Sequence, residues 1–155
     1  MMAARFNTNG TGRVIVGRRY FNVAQAERAI VLVKRIIADV VSWYDRLLDL
    51  QETMEAAQSS DEAGQLSEST KSKVARTAER LHSCLLELDD VGVELEDWET
   101  GVVDFPCVAG GREVRLCWQY GDKRIKYWHD IHGCPGGRKS IETLPVADRL
   151  GAPVS

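Results

Sequence analysis

Residues 22–54 read "NVAQAERAIVLVKRIIADVVSWYDRLLDLQETM", and this stretch decides the fold because its apolar residues recur at steps of four and three. Asn22, with Gln25 three positions later, has the form of a helix-capping box, and Phe21 just before it can act as a hydrophobic staple. The pattern predicts a long, coiled-coil-like helix whose apolar seam contains Ala26, Ile30, Val33, Ile37, Val40, Tyr44, Leu47 and Met54.

A second apolar stripe lies beside this seam at seven-residue intervals, at Ala29, Ile36, Trp43 and Leu50. The apolar face is therefore too wide for contact with a single partner helix. Residues 56–70, "AAQSSDEAGQLSEST", predict the exposed tip of a helical hairpin. A second helix ending near Gly92 follows, with a seam at Val74, Ala78, Leu81, Leu85 and Leu88. Since the second helix offers a shorter seam than the first, we expect a homodimer that forms a four-helix bundle, or a sheet that covers one end of the pair.

From Val102 the apolar period changes to two, with Gly110-Gly111 as a hairpin turn and residues 120–123 as a second loop. The fold class predicted is α+β, a long antiparallel helical hairpin packed with a three-stranded antiparallel β-meander. The predicted register gives the core face Val103, Phe105, Cys107, Val114, Leu116, Trp118, Ile125, Tyr127 and His129. It gives the other face Asp104, Glu113, Arg115, Cys117, Lys126, Trp128 and Asp130. The predicted organisation is a flexible arm over 1–18, one domain over 19–142 and an irregular tail over 143–155.

Composition narrows the class of protein. The chain has 155 residues and a net charge of −3, and it contains neither an apolar run long enough to span a bilayer nor the apolar segment of a signal peptide. Its four cysteines form no C-x-x-C pair, which favours thiols in a reducing compartment, and we expect a cytoplasmic protein. Acidic residues concentrate over 87–99 and basic residues over 112–139, but the positive excess is too small to predict a nucleic-acid partner.

Four motifs occur in a recognisable order: "RRYFNVAQA" (18–26), "GVELEDWETGVVDFP" (92–106), "REVRLCW" (112–118) and "YWHDIHGCPGGRKSI" (127–141). Over about residues 19–141 the chain resembles a bacterial family known only as domain of unknown function 2203. The resemblance implies a small soluble bacterial protein without supplying an activity. It places recurrent positions at Asp104, Cys117, Trp118, His129, Gly137 and Arg138. The chain departs from the family pattern at His132 and "GCPGGR", which replace an acidic residue and a G-F-A-G-R ending.

His129, His132 and Cys134 have the chemistry of zinc or iron ligands, and a metal site formed by these three residues is the alternative prediction. Their spacing lacks the paired motifs of a closed zinc site, and Cys107 would lie two strand spacings, nearly 10 Å, from His129. The main prediction is that His129 is structural, with a hydrogen bond at the edge of the core, and that no cofactor is bound.

The candidate ligand-binding residues are Asp104, Cys117, Trp128, Arg138 and Lys139. Backbone amides and cations over 136–140 could hold an anion, although the Walker spacing is absent. Otherwise Arg138 pairs with Asp104 or with the acidic stretch, and we predict contact with Asp104, either direct or through one water. No motif assigns catalytic residues, so no reaction is predicted. The sequence favours a homo-oligomeric interaction or small-ligand-binding module without its own catalysis. The partners expected are a second copy, an unknown protein or a small molecule, and no membrane.

Overall fold

The computed structural model describes residues 12–57, 63–131 and 137–150. Its elements are α1 (Val23–Ala57), α2 (Ala63–Val91), β1 (Glu94–Asp97), β2 (Val102–Ala109), β3 (Arg112–Gln119), β4 (Tyr127–Asp130), β5 (Lys139–Ser140), a 3₁₀ turn (Ile141–Thr143) and α3 (Val146–Leu150). The predicted α+β class and the helical hairpin are confirmed. No helix in the described part of the chain is both long enough and apolar enough to cross a membrane.

Helix α1 begins where its capping box predicts. The amide of Gln25 donates to Asn22 Oδ1 at 2.8 Å, and the amide of Asn22 donates to Gln25 Oε1 at 2.9 Å. The two side chains therefore satisfy amides that have no acceptor inside the helix. Phe21 is buried and packs edge-on against Phe105 of β2, which fixes the start of α1 on the sheet. The seam residues from Ala26 to Val40 are buried in the core.

Helix α2 begins at Ala63, so the predicted tip over 56–70 is too long, and residues 58–62 of it lie outside the described residues. Residues 63–70 of this stretch are helical, although Gly, Ser and Thr are also typical of loops. The buried positions include Thr77, Leu81, Cys84 and Leu88, whereas Ala78 is exposed. The Thr77 hydroxyl donates to the carbonyl of Lys73, so the buried polar atom is satisfied. The register of α2 therefore differs from the prediction at this turn.

Gly92 ends α2 as predicted. Its φ of 95° is left-handed, its amide donates to the carbonyl of Asp89, and the amide of Val93 donates to the carbonyl of Leu88. This pair of bonds is a Schellman motif, which caps the last carbonyls of a helix and favours glycine. The motif turns the chain directly into β1.

The sheet is antiparallel and has five strands in the order β1-β2-β3-β4-β5, not three. The two additional strands lie at its edges. β1 is four residues long, mostly acidic and irregularly paired, and β5 has only two residues, so neither shows a clear apolar alternation. The predicted Gly110-Gly111 hairpin is confirmed by φ values of 59° and 77° at its two glycines.

The register of β4 differs from the prediction by one residue. Leu116 pairs with Trp128 and Arg115 pairs with His129, so Trp128 enters the core, and His129 lies on the opposite face. The cause is the loop before β4. Ile125 is buried although it lies in this loop and not in a strand. The alternation of inward and outward side chains begins only at Tyr127, the first residue of β4, which is exposed. The predicted inward positions of Tyr127 and His129 and the outward position of Trp128 are therefore wrong.

The two faces of the sheet have opposite character. On one face, Val103, Phe105, Leu116 and Trp118 join the core formed with α1 and α2. On the other face, the buried positions of β2, β3 and β4 include charged residues. This second surface, defined by Asp104, Glu113, Arg115, Cys117 and His129, is called the polar face below.

The chain outside 19–142 also has described contacts. The Gly12 carbonyl accepts from the amide of Glu113, and the amide of Phe21 donates to the Pro106 carbonyl, so residues 12–21 cross the sheet at the polar face. This segment, called the arm below, includes part of the region predicted as flexible. In the predicted irregular tail, Leu144 is buried and α3 forms.

Candidate functional site

The polar face carries ionisable side chains that are almost completely removed from solvent. Glu113 is 1% exposed, Asp104, Arg115 and His129 are each 2% exposed, and Cys117 is 4% exposed. Strand alternation places them together, since Asp104 pairs directly with Cys117, and Arg115 pairs directly with His129. Burying charge is costly unless each charge meets a partner, so the arrangement of partners decides what the face can do.

Two arginines and two glutamates on this face form a closed ring of ion pairs. Arg18 contacts Glu94 at 2.6 Å and Glu113 at 3.2 Å, and Arg115 contacts the same two carboxylates at 3.0 and 3.1 Å. The Tyr20 hydroxyl donates to Glu113 Oε1 at 2.6 Å. The ring has no net charge, and two of these five residues come from the arm. It therefore attaches the arm to β1 and β3.

Beside this ring, three potential metal ligands converge from three strands. Asp104 lies on β2, Cys117 on β3 and His129 on β4, and one ligand atom from each lies within 4.8 Å of the other two. His129 Nε2 is 3.3 and 3.2 Å from the two oxygens of Asp104. Although β2 and β4 are separated by β3, the Asp104 and His129 side chains reach each other across it. The two-strand separation does not prevent contact.

The other nitrogen of His129 fixes the orientation of its ring. His129 Nδ1 is 2.7 Å from the carbonyl oxygen of Asp130. A carbonyl only accepts hydrogen bonds, so Nδ1 carries a proton, and Nε2 is the nitrogen that faces Asp104 and Cys117. This is the tautomer in which histidines coordinate metals through Nε2, with a carbonyl holding Nδ1.

The pKa of His129 reflects opposing effects. Burial alone lowers the pKa, but the hydrogen bond and negative charge of Asp104, the Asp130 carbonyl and the charge of Glu96 together outweigh it. The net pKa is raised above its ordinary value. Asp104 and the Asp130 carbonyl thus both stabilise the protonated form of the ring relative to the neutral form.

The edge of the site near β1 carries a further carboxylate. Loss of solvation, together with the negative charges of Asp104 and Glu94, raises the pKa of Glu96, while Arg115 and His129 oppose this rise. Glu96 is exposed, so it lies between the buried charges and solvent.

The structure separates the predicted site residues into two groups. Asp104, Cys117 and His129 meet on the polar face, and Asp104 has His129 as its ionic partner. The other three predicted ligand-binding residues lie elsewhere. Trp128 is in the core, where its Nε1 donates to Thr143, with Lys139 over its ring at 4.6 Å, and Arg138 lies over the ring of Tyr127 at 5.8 Å.

The remaining two predicted metal ligands, His132 and Cys134, lie outside the described residues. Conversely, the arm residues Arg18 and Tyr20 were not predicted as part of a site. Alternating charges in "REVRLCW" were the available signal for the polar face, because charged residues between apolar ones on a central strand require a second buried environment.

Comparison with known proteins supports the family resemblance. The model of the family described as "Uncharacterized conserved protein (DUF2203)" matches residues 19–141. The chain belongs to this family. The match includes all three residues of the polar-face cluster Asp104, Cys117 and His129, but it begins one residue after Arg18. No curated protein and no solved structure gives a significant match to the chain.

Proposed function

We propose that the chain is a transition-metal-binding protein whose ligands are Asp104, Cys117 and His129. One observation carries the proposal: three ligand atoms from three adjacent strands converge within 4.8 Å in a buried environment. The Asp130 carbonyl holds Nδ1 of His129, as a carbonyl does in many metal-binding histidines, and Nε2 lies toward Asp104. Support from neighbouring strands is rigid, which favours a fixed site over a chance surface cluster.

The ligand types favour zinc, with iron as the next candidate. A thiolate and an imidazole are soft or borderline ligands, whereas magnesium and calcium prefer all-oxygen sites. Three protein ligands leave a fourth position that water or another group can occupy. The proposed site shares His129 with the metal site that was predicted from the sequence, but its other two protein ligands are Asp104 and Cys117.

Binding of the ion must displace protons. The Cys117 thiol binds as a thiolate, and Nε2 of His129 must lose the proton that it shares with Asp104. We therefore expect affinity to increase with pH and zinc binding to release protons. In this role the ion replaces a proton as the positive charge between the imidazole and the carboxylate.

The burial of the ligands favours a structural or sensing role over catalysis. Each of the three side chains is at most 4% exposed, so a substrate would reach the ion only if covering residues moved. A reducing compartment such as the cytoplasm would keep Cys117 available as a thiol.

The test combines metal analysis with matched variants. Protein purified without a metal-affinity tag is analysed for metal content, then stripped and titrated with zinc or cobalt. We expect one ion per chain, a cobalt–thiolate charge-transfer band, and a higher melting temperature in zinc. Asp104→Asn, Cys117→Ser and His129→Gln should each lose these effects.

Cys107→Ser is the matched control, because Cys107 is buried on the core face, away from the cluster. It should retain the cobalt band at full intensity. A wild-type chain that takes up neither zinc, cobalt nor iron would overturn the proposal. So would a band that persists in Cys117→Ser.

A further inference from the structure

The irregular pairing of β1 sets the position of Glu96. The register of β1 against β2 shifts by one residue between Leu95 and Asp97, so Glu96 is an extra residue without a partner on β2, as in a β-bulge. Bulges are common at sheet edges and next to functional sites, where they redirect a side chain. Before the shift, Glu94 pairs directly with Asp104, which places Glu94 on the polar face. Glu96 is two residues further along, so it lies on the same side of the sheet.

The other two acidic side chains of β1 already have partners. Glu94 belongs to the ring of ion pairs, and Asp97 accepts hydrogen bonds from the amides of Glu99 and Thr100. Glu96 is exposed, and its side chain forms neither an ion pair nor a hydrogen bond with any other residue that the structure describes. Its carboxylate can therefore turn toward a ligand without breaking an existing contact.

The Glu96 carboxylate lies near the cluster of Asp104, Cys117 and His129. The negative charge of Asp104 disfavours the ionised form of this carboxylate, whereas the positive charge of protonated His129 favours it. Coulombic interaction falls with distance, and salt screens exposed charges beyond about 10 Å. Effects from two of the three cluster residues therefore place the carboxylate beside the cluster.

A zinc ion held by Asp104, Cys117 and His129 has three protein ligands. Structural zinc sites almost always have four in tetrahedral geometry, and carboxylate oxygen is among the ligands that zinc accepts. We propose that Glu96 is the fourth ligand and that its carboxylate turns inward when the ion binds. This role rests on the proposed metal binding and deepens it, because a fourth protein ligand makes the site structural and leaves no position for a substrate.

A fourth ligand on β1 would change the sheet as well as the site. The ion would then join β1, β2, β3 and β4, since each of these strands supplies one ligand. In the metal-free chain β1 is a short edge strand with irregular pairing. Backbone amides of β1 should therefore exchange with solvent more slowly once zinc is bound.

The test compares Glu96→Gln with wild type in three measurements on the full chain: zinc affinity by competition with a chromophoric chelator, the absorption spectrum with cobalt, and hydrogen exchange. Glu96→Gln should bind zinc at least about tenfold more weakly. It should keep the cobalt–thiolate charge-transfer band, because Cys117 is unchanged, but its visible cobalt bands should shift as water replaces the carboxylate. Zinc should slow exchange of the β1 amides in wild type and not in the variant.

Glu99→Gln is the matched control, since Glu99 is also an exposed glutamate and lies in the turn after β1. It removes the same charge and should bind zinc and cobalt as wild type does. A wild type that binds no metal would overturn the metal-binding proposal together with this role of Glu96. If wild type binds metal, an unchanged affinity and spectrum in Glu96→Gln, or equal losses in the two variants, would overturn the role of Glu96 alone.

Discussion

Replacing Gly101 with alanine tests how α1 is docked on the sheet. Gly101 has a φ of 72°, its amide donates to the carbonyl of Asp97, and its carbonyl accepts from the amide of Tyr120. A β-carbon at this position would lie 2.7 Å from Ile37 and 2.8 Å from Tyr120. Two hydrogen bonds therefore hold the backbone of Gly101, and Ile37 of α1 and Tyr120 occupy the space beside its α-carbon.

The expected loss has two parts. A left-handed conformation costs an L-residue about 1–2 kcal/mol relative to glycine. Overpacking against Ile37 and Tyr120 adds about 1–3 kcal/mol, because neither contact is with the end of a long flexible side chain. Gly101→Ala should thus lower the free energy of unfolding by about 2–5 kcal/mol, a large part of the stability of a typical domain.

Gly111→Ala separates the two parts. Gly111 has a similar φ of 77°, but an added β-carbon there meets nothing within 4 Å. Urea denaturation followed by circular dichroism should show a loss of about 1–2 kcal/mol for this control, and a clearly larger loss for Gly101→Ala. Equal losses in the two variants would refute the claim that α1 packs directly against the turn before β2.

Three further outcomes follow from the buried charges and thiols. Because the pKa of His129 is raised on folding, the stability that it contributes is fully present below its ordinary pKa of about 6.5 and is lost as pH rises through the folded value. Urea denaturation with chelator present should show this decrease in wild type and a smaller one in Asp104→Asn. Arg115→Met should lower the free energy of unfolding by about 3–5 kcal/mol, because Arg18 is then the one arginine left in the ring for Glu94 and Glu113, and one buried negative charge is not compensated. In the same assay, Arg112→Met, whose ion pair is exposed, should cost about 0–1 kcal/mol. Burial raises the pKa of Cys107 to about 12, so iodoacetamide should label it only after unfolding, and mass spectrometry showing labelling of the native chain would contradict its placement in the core.

The helical half of the fold could be predicted from the sequence because its signals are local. The capping box joins residues three apart, the α1 seam repeats over several turns, and Gly92 ends α2 through its own backbone conformation. The tip was harder to predict, because polar residues are compatible with both an exposed helix and a loop. The end of α1 and the start of α2 were accordingly placed incorrectly.

The sheet shows where local patterns stop being sufficient. Its central hairpin was predictable because the glycine turn sets the pairing of β2 with β3. The longer loop before β4 does not set a register, and Ile125 is an apolar residue buried outside a strand. Counting it as a strand position shifted β4 by one residue, which moved every side chain of the strand to the wrong face.

That shift also concealed the site. Asp104, Glu113, Arg115 and Cys117 were correctly predicted to share one face, but His129 was assigned to the other. Asp104 and Cys117 could therefore be placed together from the sequence, but His129 could not be placed with them. Arg18 could not be added from spacing, because it joins the same face through contacts with Glu94 and Glu113 that are distant in the chain.

The ring of ion pairs has a consequence for the order of events during synthesis. Arg18 meets Glu94 across 76 positions, and Tyr20 meets Glu113 across 93. The arm leaves the ribosome before both helices, yet its last partner becomes available only when β3 has been made. The helical hairpin can form from neighbouring residues before this time, whereas the arm must wait for distant ones. A segment translated ahead of the hairpin thus reaches its native position only after the hairpin and β3 have been made.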